Sequence, residues 1–101
     1  MNLYRAFVHL DVHGFAEPHT EYLHEVFLTQ GKYDIQLYPT QKGVDLDLHI
    51  KDRNDEGIYK DDSADPGASA WLTIYEEGLF HFYVKSYDAS KYVISIQEMN
   101  E

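Results

Sequence analysis

From Tyr4 to Val12 the side chains alternate: Tyr4, Ala6, Val8, Leu10 and Val12 fall on one side of an extended chain, and Arg5, Phe7, His9 and Asp11 on the other. A period of two marks a half-buried β-strand, and His13-Gly14 predicts its end. Pro18 to Gln30 predicts the one helix. Pro18 suits a first helical turn and Gly31 the position just past the last. At about 100° per residue, His19, Tyr22, Leu23, Val26, Phe27 and Gln30 share one side, opposite Glu17, Glu21, Glu25 and His24. Leu28 falls on the acidic side, where a helix would leave it exposed.

Alternation then returns. Tyr33, Ile35 and Leu37 oppose Asp34, Gln36 and Tyr38 in a short strand that Pro39 closes. A hairpin connection at Pro39 to Gly43 leads into Val44 to Lys51. There Val44, Leu46, Leu48 and Ile50 form a core side, and Asp45, Asp47, His49 and Lys51 a wet one. Asp52 to Ser69 predicts a long acidic loop, a length that is uncommon in a compact domain and that goes with either function or mobility. A second hairpin follows, Ala70 to Tyr75 and Leu79 to Tyr87, joined at Glu76-Glu77-Gly78. The last strand spans Tyr92 to Met99. The predicted fold is α+β: one helix packed on an antiparallel sheet of about six strands, in the order β-α-β-β-β-β-β. With 101 residues, the chain fits a single domain over 1–101.

Charge adds a functional constraint that the pattern does not. Eight basic and eighteen acidic residues give a net charge of −10. Residues 52–78 hold eight acids and two bases, so over half of the excess sits there. This disfavours direct contact with nucleic acid or an anionic membrane and favours a basic protein partner. The absence of cysteine excludes a disulfide scaffold, a thiolate metal site and a cysteine nucleophile, and is compatible with a reducing compartment. The start of the chain carries no apolar run of the signal-peptide kind, so a cytoplasmic location is expected.

Motifs for catalysis are weak. His9 and Asp11 share a strand face but lack a third converging ligand. Asp47 and His49, with His81 on another strand, have the residue types for acid–base work but no accompanying nucleophile. Asp52 to Gly57 imitates part of a calcium loop, yet Ser63 stands where the bidentate Glu belongs. No metal or cofactor is expected.

Nine tyrosines and one tryptophan accompany the acids. Rings bury area while carboxylates meet Lys and Arg, a combination suited to an interface. The candidate partner-binding residues are Asp34, Tyr38, Asp45, Asp47, His49, Asp55, Glu56, Asp61, Asp62, Asp65, Trp71 and Tyr75. The loop acids are expected to act through steering, and Asp45 and Asp47, beside Tyr and Trp anchors, through the bound state. In size and acidity the chain resembles toxin-neutralising immunity proteins and phage anti-defence proteins that imitate DNA, including anti-CRISPR proteins. The resemblance covers no motif, so no residue is carried over from it. It implies stoichiometric inhibition of a nuclease or other nucleic-acid-acting protein. The alternatives are a small-molecule-binding or oligomeric domain, including a dimer, and a small His/Asp hydrolase.

Overall fold

Alternation governs every regular segment of this chain, including the one whose spacing predicts a helix. The computed structural model describes residues 9–61 and 67–99, with Asp61 described by its backbone alone. Eight strands are present: β1 (His9–Ala16), β2 (Thr20–Leu28), β3 (Gly31–Pro39), β4 (Leu46–Lys51), β5 (Gly57–Asp61), β6 (Ala68–Ile74), β7 (Gly78–Ser86) and β8 (Ser90–Glu98). They form two antiparallel four-stranded sheets, ordered β1-β8-β3-β6 and β2-β7-β4-β5. The fold is therefore all-β, a sandwich of two layers, and the predicted α+β class is wrong. No helix among the described residues is long and apolar enough to cross a membrane.

The helix prediction fails at β2 for a specific reason. Tyr22, Leu23, Val26 and Phe27 satisfy a helical stripe, but Thr20, Tyr22, His24, Val26 and Leu28 satisfy a strand face as well. Pairing with β7 along the whole of β2 selects the strand. Val26 and Leu28 are buried while Leu23 and Phe27 are exposed. Leu28, anomalous on a helix, is a core residue of the strand. Pro18 and His19 make the corner before it. His19 adopts φ 59°, and its amide donates to the Ser86 carbonyl at 2.8 Å.

The predicted hairpins also change partner. β3 and β4 lie in different sheets, as do β6 and β7, so these short connections cross between layers. A short link forces two strands to be neighbours, but a sheet partner and a strand across the core both satisfy it. Inward alternation is the same in either case. Within the predicted 52–69 loop the chain forms β5, which pairs with β4. β1 runs on through His13-Gly14 to Ala16, paired with β8 throughout, and Gly14 fits there because the Tyr92 ring occupies the space that a side chain would fill. The predicted residues Tyr4 to Val8 lie outside the described residues.

The core is the space between the layers. Tyr33, Ile35 and Leu37 of β3 and Ile94 and Ile96 of β8 meet Leu46, Leu48 and Ile50 of β4 and Phe82 and Val84 of β7, all essentially buried. Each such side chain contributes about 1.5–3 kcal/mol relative to exposure. The Tyr33 hydroxyl is satisfied at the β2–β3 corner by Thr29 Oγ1, at 2.9 Å, and by the Thr29 carbonyl, at 3.0 Å.

Candidate functional site

β6 buries Ala70, Leu72 and Ile74, so the pleat turns Trp71 and Thr73 outward, and Tyr75 continues that parity just past the strand. Trp71 is 77% exposed and Tyr75 81%. Exposed rings of this size on an edge strand contribute little to the fold and make this edge a candidate contact surface.

The wall opposite is the β4–β5 turn, which Asp52 organises. Its Oδ1 accepts the amides of Asn54 and Glu56 at 2.9 and 3.0 Å, and its carbonyl accepts the Asp55 amide at 2.9 Å. Asp55 takes φ 65°, a conformation that Asp tolerates better than most residues. The resemblance of this segment to a calcium loop is thus a turn that spends a carboxylate oxygen on backbone amides. Arg53 Nη2 reaches Glu76 Oε1 at 2.9 Å, tying this turn to the β6–β7 connection.

Between these walls lies a groove of about 480 Å³, lined among others by Asp52, Arg53, Ile58, Trp71, Tyr75, Glu76, Glu77 and Leu79. Its lining mixes apolar and polar groups and includes three carboxylates and one guanidinium; Glu76 is paired with that guanidinium, and Asp52 gives Oδ1 to the amides of its own turn. Asp55 and Glu56 project from the same turn, exposed. Asp34 stands beside Trp71 in register across the β3–β6 ladder.

The remaining predicted site residues separate from this end. Tyr38 is at the far end of β3, level with Val93. Asp45, Asp47 and His49 occupy the outer face of the other sheet, away from Trp71. Asp47 accepts the Tyr87 hydroxyl at 3.1 Å and sits level with Lys85. Asp62 and Asp65, and the Asp61 side chain, lie outside the described residues.

The candidate partner-binding set leaves out Asp52, Arg53, Ile58, Glu76, Glu77 and Leu79, although Asp52 and Arg53 stand in the calcium-like segment and Glu76 and Glu77 extend the acidic run. The run Tyr75-Glu76-Glu77 close to Trp71 was the available signal for two of them.

The histidines make separate local contacts. His49 and His81 are diagonal on the β4–β7 ladder, with ring centroids 6.5 and 6.3 Å from that of Tyr83 between them. His81 Nε2 is 3.6 Å from Glu25. His9 and Asp11 form an exposed pair at 3.4 Å. No group of three or more His, Asp or Glu among the described residues is arranged to hold a metal ion.

No protein-family model matches this chain, and no curated protein matches it. The functional reading therefore rests on the groove.

One polar pair is built into the interior. His24 Nε2 lies 2.5 Å from the Tyr92 hydroxyl, which donates to it when the imidazole proton is on Nδ1. Burial lowers the His24 pKa from its ordinary 6.5. Burial, and secondarily Tyr22, raises the Tyr92 pKa from 10.0 to about 12. Both groups favour their neutral forms in the fold. As pH falls below 6.5 the unfolded chain takes up the His24 proton first, so stability drops on the acid side. Between pH 10 and 12 the unfolded chain loses the Tyr92 proton first, so stability also drops there. Urea melts across pH should show a weaker acid-side loss in His24→Gln and a weaker alkaline loss in Tyr92→Phe. Slopes equal to the parent's would remove this pair as their cause.

Proposed function

We propose that this protein binds a basic protein one-to-one through the groove between the β4–β5 turn and the β6–β7 connection, and inhibits it without performing chemistry. The observation that carries the reading is the near-complete exposure of Trp71 and Tyr75 beside Glu76 and Glu77. Two rings offer area to bury, and the carboxylates select Lys and Arg. The fitting partner is a nuclease or other nucleic-acid-acting protein, because such proteins concentrate basic residues where they hold phosphates. Occupying that basic surface denies it to nucleic acid. The net charge of −10 steers the encounter and makes association fastest at low salt.

The groove volume supports a second reading, since about 480 Å³ falls in the range of small-ligand pockets. The acidic rim favours the protein partner. The test is retention from an extract of the cells that make the protein, at low ionic strength. The expected result is one basic protein held in a one-to-one ratio, released as salt rises, and not held by Glu76→Lys/Glu77→Lys. Equal retention by that variant would defeat the reading.

A further inference from the structure

β6 ends its sheet: it pairs with β3 on one side and with no described strand on the other. The Tyr59 hydroxyl, coming from the opposite sheet, donates to the Ser69 carbonyl at 2.9 Å. That carbonyl therefore points away from β3. Main-chain groups of an antiparallel strand alternate in direction residue by residue. The N–H and C=O groups of Trp71 and Thr73 then point the same way as those of Ser69, toward the groove. Tyr59 closes this edge at Ser69, and the groove begins two residues further on.

Edge strands are commonly protected by proline, by charged residues or by a bulge. Ala68-Ser69-Ala70-Trp71-Leu72-Thr73-Ile74 contains neither proline nor charge, and its register with β3 is unbroken. The stretch that borders the groove, Trp71 to Tyr75, is about 13 Å long at the usual strand rise. That length accommodates about four extended residues. Charge selects the occupant: Asp52, Glu76 and Glu77 surround the groove, and Arg53 is tied to Glu76.

We propose that the partner enters as an extended strand of alternating basic and apolar residues that adds to the free edge of β6. This rests on the proposed docking of a basic protein and names the form in which it docks. The incoming main chain pairs with Trp71 and Thr73. Its apolar side chains enter the groove against Ile58 and Leu79, and its basic ones meet the acidic rim. Main-chain pairing supplies affinity, and the alternate side chains supply selection.

Trp71 is the sole tryptophan, so its emission reports on this edge alone. The probe is an acetylated seven-residue peptide of alternating Lys and Val. It is compared with two isomers, N-methylated on the Lys or on the Val amides, and with a Glu/Val peptide. The Lys/Val peptide is expected to shift Trp71 emission to the blue. It should also slow amide exchange at Trp71 and Thr73, and not at Leu72 or Ile74. One methylated isomer, and the Glu/Val peptide, should bind at least about tenfold more weakly, the cost of one or two lost main-chain bonds. Equal binding by both methylated isomers, with Trp71 and Thr73 exchange unchanged, overturns strand addition. No response to the Lys/Val peptide overturns it too. Docking of the whole partner is judged separately by retention and its loss in Glu76→Lys/Glu77→Lys, so the two proposals fail independently.

Discussion

Leu28→Ala is expected to destabilise the protein by about 2–5 kcal/mol, and Phe27→Ala by less than about 1 kcal/mol. Leu28 is buried between the sheets at 1% exposure, and its removal leaves a cavity that the two layers cannot close. Phe27, one residue earlier, stands on the outer face at 56% exposure, level with Leu79 of β7. A helix over the same residues gives the reverse ranking, with Phe27 on the core stripe and Leu28 outside. Urea denaturation of the two variants checks this directly. A larger loss from Phe27→Ala than from Leu28→Ala would contradict the strand register.

Trp71→Ala should weaken partner binding by about 2 kcal/mol or more, roughly 30-fold, with stability unchanged within about 0.5 kcal/mol. The two effects separate because the indole is mostly in solvent in the free protein and gains its burial from the partner. Aromatic anchors at the centre of an interface typically dominate its energy, whereas acids at the rim chiefly set the association rate. If Trp71→Ala lowered stability and binding together, the indole would be part of the core.

The strands legible in the sequence were those whose two faces differ sharply. Val44 to Lys51 alternates strictly and keeps its predicted core side; Ala70 to Tyr75 alternates as strictly, but its sequence does not say which face turns inward, and the structure buries Ala70, Leu72 and Ile74. β2 was illegible because Leu23 and Phe27 are apolar yet outward, which fills in a helical stripe. Layer assignment was illegible for a different reason. A link such as Glu76-Glu77 joins strands across the core as readily as along a sheet, and the alternation of Leu72 and Ile74 is identical in both arrangements. This error also governed the site. Trp71 and Asp47 fall on one outward face in a single sheet, but on opposite outer faces of a sandwich. Trp71, Tyr75, Asp55 and Glu56 converge at one end because the β4–β5 turn and the β6–β7 connection meet there. That meeting is held by Arg53 and Glu76, 23 residues apart.

The decisive measurement is the kinetics of the retained partner with the parent, Trp71→Ala and Asp45→Ala/Asp47→Ala at low and high salt. The account predicts faster dissociation of Trp71→Ala at both salts, since the lost contact is apolar. Asp45→Ala/Asp47→Ala should dissociate like the parent, with at most a slower association that disappears as salt shortens the Debye length below about 10 Å. Faster dissociation of Asp45→Ala/Asp47→Ala, with Trp71→Ala behaving as the parent, would place the interface on the outer face of β4 and contradict the groove.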